Sequence, residues 1–250
     1  MLTYLNLKHL LFRAFRKWKE TLWKYKIFSS DVRIQGKADI DPTVFIKNSN
    51  IYVDSSSSII LHKNVKLEGV SFFVLNGAQV EIGECSFIVK DRNSLQPEYI
   101  VNNGRLIVAD HTKLACMRLW IRFGGKLEIG QYTNINSGTE IRADEHICIG
   151  NYCRISYNIR IWDTNTHCIY SPEKRRALTY EYFPRFGYEC ERPKTKPVTI
   201  SDGCWLGERV SILKGTFLEE NVTVAYHTTI INRTIPRGKT VTTKIDLSII

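Results

Sequence analysis

From residue 126 onward, aliphatic side chains fall on a strict six-residue beat. Ile129, Ile135, Ile141 and Ile147 form one series, Ile149, Ile155 and Ile161 a second shifted by two, and after a break Ile200, Leu206, Ile212, Leu218, Val224 and Ile230 a third. Four residues after most beats stands a small or β-branched residue: Thr133, Thr139, Cys153, Cys204, Val210, Thr216, Val222, Thr228 and Thr234, with Glu145, Ile159 and Asn165 as exceptions. An amphipathic helix repeats every ~3.6 residues and a long strand every ~2, so a period of six requires a short strand plus a turn. Three such units close an 18-residue triangular coil. The pattern predicts an all-β fold, a parallel β-helix with the beat residues stacked inside and successive coils hydrogen-bonded about 4.8 Å apart. A β-sandwich would show two-residue alternation and irregular loops instead.

Upstream the beat is looser. It is visible as Ile34, Ile40 and Ile46, and then as the phrases Gly77-Ala-Gln-Val-Glu-Ile-Gly83, Gly104-Arg-Leu-Ile-Val-Ala109 and Gly125-Lys-Leu-Glu-Ile-Gly130. Their spacings of 27 and 21 residues read as one coil plus small insertions. Between Ile161 and Val198 the beat stops for 36 residues and resumes in full register. An insertion that leaves a helix unperturbed must project from a corner, and loops of this length are usually functional. Tyr170, Tyr180, Tyr182, Phe183, Phe186 and Tyr188 within it are too many aromatics for a solvated tether and predict packing against something.

Charge divides the chain further. The net +10 includes +6 carried by residues 1 to 28, where Leu7, Leu11, Ala14, Trp18, Leu22 and Tyr25 recur at helical steps against a basic polar side. Two roles fit this amphipathic leader. It caps the domain or a partner subunit, or it lies in the headgroup layer of an anionic membrane with Phe12, Trp18 and Trp23 as interfacial anchors. No nucleic-acid partner is expected, because nothing else in the chain continues a basic stripe. The reading is thus a leader over 1–30, β-helix coils over 31–161, an extruded loop over 162–197, C-terminal coils over 198–235 and a tail over 236–250.

At 43% hydrophobic and 24% charged, the 250 residues have the make-up of a globular chain rather than a disordered or collagen-like one. No uncharged apolar run approaches the roughly 18 residues that cross a bilayer, and basic residues interrupt the N-terminus where a signal peptide would be apolar. The expected location is cytoplasmic, with any membrane contact peripheral and at the inner face. Seven cysteines without a CxxC pair suggest reduced, structural thiols rather than a disulfide framework or zinc knuckle. No metal site is expected, since the six histidines show no H-x4-H step.

The repeats Ile129-Gly-Gln-Tyr-Thr133, Ile149-Gly-Asn-Tyr-Cys153 and Leu206-Gly-Glu-Arg-Val210 resemble those of the hexapeptide-repeat acyltransferases. That resemblance covers nearly everything after residue 30. It implies a left-handed parallel β-helix, an exception to the usual right-handed crossover, and a homotrimer with active sites between subunits. The same coil serves nucleotide-sugar enzymes and non-catalytic scaffolds, so the repeats alone do not name a chemistry. The stretch Asn158-Ile-Arg-Ile-Trp-Asp163-Thr-Asn-Thr-His167, followed by resumption at Lys196-Pro-Val-Thr-Ile-Ser-Asp-Gly-Cys-Trp-Leu-Gly207, is similar to the sugar O-acetyltransferase branch that includes the maltose, galactoside and capsule-type enzymes. There a D-x-x-x-H or D-x-D-x-H stretch at this place supplies the catalytic histidine.

The resemblance implies an acetyl-CoA-dependent O-acetyltransferase acting on a saccharide in surface polysaccharide or glycolipid assembly, with acetyl-CoA as co-substrate and no metal. His167 is the expected general base, a role suited to an imidazole and worth roughly 10²–10⁴ in rate. Asp163 either orients His167 or the loop, or serves as a turn former. Asn158 and Trp162 fall to the saccharide. Trp205, Gly207, Ala225 and Tyr226 fall to the pantetheine arm, and Arg237 and Lys239, with Lys244, to the phosphates. The chain departs from the family where Ala225-Tyr226-His227 replaces a common Gly-Ala-Gly, and in its tail. The alternatives are an N-acetyltransferase acting on an amino sugar and a non-catalytic β-helix scaffold. Serine acetyltransferase is disfavoured because only about 28 leader residues stand where that family has a large helical domain.

Overall fold

The structure, a computed structural model, describes residues 27–91, 97–185 and 191–244. Residues 1–26 of the amphipathic leader, Phe186, Tyr188 and Cys190 lie outside the described residues. Ile27–Phe28, read as the end of the leader, instead form a strand paired with Ile46 and Lys47, because Ile27 packs against the core and starts its column in the first coil. The chain winds as a three-sided coil whose strands join three all-parallel sheets of ten, nine and nine strands. We call these face A, starting at Ile27–Phe28, face B, starting at Asp31–Ile34, and face C, starting at Lys37–Ile40. The chain visits A, B and C in rotation, so each strand pairs with the strand one full coil away. This is the fold that the beat predicts, and it agrees with the left-handed β-helix implied by the resemblance.

The beat residues do point inward. Ile135, Ile141, Ile147, Ile161, Ile200, Leu206, Ile212, Leu218 and Val224 are fully buried in one continuous core, each worth about 1.5–3 kcal/mol of burial. The residues four after the beat sit inward at the corner that precedes the next strand, where Thr133, Thr139, Cys153, Cys204, Val210, Thr216, Val222 and Thr228 are buried and Ile159 is accommodated as well. Their hydroxyls are satisfied by the next coil: Thr133 donates to the Gly150 carbonyl at 2.7 Å and Thr216 to that of Ile230 at 3.2 Å. Thr234 departs from this, standing exposed near the C-terminal end of the stack.

Coil size explains the looser upstream beat. Leu206 pairs with Val224, eighteen residues on, whereas Leu106 pairs with Leu127, twenty-one on. Upstream strands such as Arg105–Val108 and Lys126–Ile129 have four residues with two inward side chains, while those after the loop, such as Trp205–Leu206 and Phe217–Leu218, have two with one inward. The two-residue slip between Ile147 and Ile149 has the same cause, because both lie on the single strand His146–Ile149 and both are buried. Thr240–Val241 still pairs with Thr223–Val224, so coiling runs into the segment read as tail. No described helix is long and apolar enough to cross a membrane.

Candidate functional site

The insertion leaves the coil at the corner between faces B and C, after Arg160–Trp162, and returns at Val198–Ile200. Its stem is a clamp. The Lys196 amide donates to the Asp163 carbonyl at 2.8 Å, the Asn165 amide to the Lys194 carbonyl at 3.0 Å, and Thr164 bridges Thr195 in antiparallel fashion. Asp163 is fully buried, and its carboxylate accepts the amides of Asp144 and Glu145 from the preceding coil at 2.8 and 2.9 Å. Burial pushes its pKa up to about 6, and the two amides only partly offset that. Asp163 therefore fastens the outgoing stem to the coil beneath. His167, two residues past the clamp, is exposed.

Beyond His167 the loop forms one helix, Pro172–Tyr182 (α1), with Ser171 as N-cap and no buried residue. Among the described loop aromatics, Tyr180 and Phe183 are 88% and 72% exposed, whereas Tyr170 and Tyr182 are half-buried, with the Lys174 ammonium over the Tyr170 ring at 4.2 Å.

Trp162 lies on the outer side of face B, its ring under the Arg142 guanidinium at 4.8 Å, and its Nε1 is buried without a hydrogen-bond partner. Asn158 stands at the A–B corner at positive φ, with its amide over Gly138 and donating to Glu208 at 3.3 Å. Gly138, itself at φ 73°, has no room for a Cβ beneath that amide. Asn158 and His167 thus occupy opposite ends of one strand of face B.

The residues expected on the donor gather elsewhere. Trp205 projects from face A, 57% exposed, into a groove of about 510 Å³ shared with Tyr132, Asn134, Asn136, Arg154 and Ser156. Gly207 and Ala225 continue the strip beside it in adjacent coils, and a Cβ on Gly207 would meet the Tyr226 amide at 2.9 Å. Tyr226 accepts a hydrogen bond from Arg209 at 3.2 Å. The sequence reading missed the groove partners of Trp205. Their signal was positional, since Asn134, Arg154 and Trp205 each precede a beat residue and stack on one outward column.

Arg237 lies at the C–A corner, where it pairs with Glu220 at 3.0 Å, and Lys239 follows in the same turn. The structure therefore brings Trp205, Gly207, Ala225 and Tyr226 together on face A, with Arg237 at the C–A edge of that face and the stem of the His167 loop at the B–C corner. A corner of a three-sided coil stands opposite the one face it does not border. The stem that bears His167 and the Trp205 groove consequently lie on opposite sides of one chain.

Three histidines without a partner in sequence acquire one across coils. His62 contacts Glu81 at 3.1 Å, His146 contacts Glu128 at 2.7 Å, and His111 stacks on Tyr132 at 4.9 Å. Among the described residues no three His, Cys, Asp or Glu side chains converge as a metal site would require.

No family model and no curated protein matches the chain. Solved structures do. The polysialic acid O-acetyltransferase OatWY is 23% identical over 86% of this chain and 81% of its own, with a TM-score of 0.43. A hexapeptide-repeat-containing acetyltransferase of Vibrio cholerae O1 biovar eltor, complexed with acetyl coenzyme A, is 20% identical over 54% of this chain and 63% of its own, with a TM-score of 0.39. The polySia-specific acetyltransferase NeuO is 17% identical over 86% and 80%, with a TM-score of 0.35.

Proposed function

We propose that the chain is an acetyl-CoA:saccharide O-acetyltransferase in which His167 is the general base. The observation that carries the reading is the exposed His167 held just beyond a stem whose two sides Lys194 and Lys196 clamp together and which Asp163 pins to the coil beneath. A sugar hydroxyl is a weak nucleophile and a thioester an activated acyl group, so the step needs chiefly proton removal and support for the oxyanion. In the proposed step an imidazole nitrogen of His167 takes the hydroxyl proton as the sugar oxygen bonds to the acetyl carbonyl carbon. The tetrahedral intermediate then collapses, the C–S bond breaks, and the proton passes to the departing sulfur. Acetylated saccharide and free CoA thiol leave. Asp163 acts as a positioning residue, its carboxylate being engaged by backbone amides.

The opposite placement of His167 and the Trp205 groove supports a closed homotrimer in which each site takes His167 from one copy and Trp205 from the next. A head-to-tail contact of this kind generates a closed ring when its rotation closes, and three copies is the number that the resemblance to hexapeptide-repeat acyltransferases implies.

The test is thiol release from acetyl-CoA over a panel of mono-, oligo- and lipid-linked saccharides. Turnover with at least one acceptor is expected, with His167→Ala slower by about 10²–10⁴-fold. Turnover that survives the substitution, or none with any acceptor, would remove the assignment; amino sugars in the panel separate N- from O-transfer.

A further inference from the structure

At the B–C corner, the returning strand of the loop and the next two coils enclose a groove of about 970 Å³. Four basic side chains line it, Arg192, Lys194, Lys196 and Lys214, against one acid, Glu145, with Asn232 on its wall. None of the four makes an ion pair with a carboxylate among the described residues, although the chain pairs many of its other cations, as in Arg122–Asp144 at 2.8 Å.

Two of the cations are set in place by the fold. The Arg192 guanidinium donates to the Asp144 carbonyl at 2.7 Å, and the Lys196 ammonium donates to Asn232 at 2.5 Å. The Lys196 stem lies over Gly215, where a Cβ would meet its Cδ at 2.6 Å. A neutral amide and a carbonyl hold these heads without neutralising them. Four positive charges against the single carboxylate of Glu145 leave an excess that repels itself, and a bound anion relieves that repulsion through charge-assisted hydrogen bonds. The groove also adjoins the proposed chemistry, because Lys194 and Lys196 belong to the strand clamped against Asp163 and Asn165, beside His167.

We propose that this groove is an anion subsite of the active site, taking the phosphate or carboxylate oxygens of a substrate through Arg192, Lys194, Lys196 and Lys214. The inference rests on the acetyltransferase reading. It moves the anion contact from Arg237, which is already paired, to the corner that bears His167. The anionic group belongs either to the phosphates of the acyl donor or to an acidic saccharide acceptor.

Calorimetric titration of the full chain with coenzyme A, and separately with oligogalacturonate, distinguishes these sources without relying on turnover. The Lys194→Ala/Lys214→Ala protein is expected to lose about tenfold or more in affinity for one probe and to show a shallower salt dependence for it. A Lys37→Ala/Lys63→Ala control, with the same charge loss on distant exposed sites, should keep wild-type affinity. Loss confined to coenzyme A assigns the groove to the donor, and loss confined to oligogalacturonate to the acceptor. Equal losses in both variants, no loss in either, or no binding of either probe by the wild type would overturn the subsite. Failure of the acetyltransferase reading would show separately, in thiol release and the His167→Ala comparison.

Discussion

Asp163 illustrates how one side chain acquires a role that its neighbours in sequence do not disclose. It reads as either a turn former or a partner of His167, and the structure instead aims its carboxylate at the amides of Asp144 and Glu145, one coil below. Its folded pKa, about 6, is raised above the ordinary 3.8, so the folded chain holds this proton more tightly than the unfolded one. The resulting stabilisation is fully present below pH about 4 and is lost as pH rises through about 6, a change on the order of 3 kcal/mol. Urea midpoints of the wild type and Asp163→Asn, measured between pH 4 and 7, should therefore converge or cross as pH rises; a gap independent of pH would show that Asp163 ionises normally. The same separation hid the partners of His62 and His146, which lie nineteen and eighteen residues away. Side chains stacked on adjacent coils are distant in sequence by a whole turn, and no local motif marks them.

The elements divide into a coil that packs around one core and an arm whose described helix buries nothing. Most inward positions of the regular coils were legible, because only a six-residue repeat of aliphatic side chains keeps one column facing the axis; Ala143, buried but off the beat, was not. The wider upstream coils were harder to read, since strands with two inward residues break the count without breaking the fold. The loop's place was also visible, as a gap in register, but its conformation was not: α1 has a weak apolar pattern and buries nothing. Because the core does not depend on it, replacing residues 168 to 191 by a short glycine linker should leave the thermal midpoint within a few degrees while abolishing turnover. A large fall in the midpoint, followed by circular dichroism, would show that the arm supports the coil.

For the whole molecule, the decisive fact is that His167 and Trp205 lie on opposite sides of one chain. A shared site between copies makes a sharp prediction. Mixed trimers prepared by refolding His167→Ala with Trp205→Ala should regain activity, to about a quarter of the wild-type level for random assembly. Each hybrid site can draw an intact histidine from one copy and an intact tryptophan from the other. No recovery, with hybrid trimers demonstrated by sedimentation or native mass measurement, would place both residues in separate functions.

The linear chain was sufficient to determine the β-helix, most of its interior columns and the corner insertion, and to single out His167 as the candidate base. Each of these depends on periodicity or on residues close together in sequence. The tertiary structure decided which outward residues share a surface: the Trp205 groove on face A, the cationic groove at the B–C corner, and the opposition of the two. Outward side chains carry no packing constraint that would impose a pattern, and their neighbours come from coils eighteen or more residues away. Only the winding of the chain brings them together.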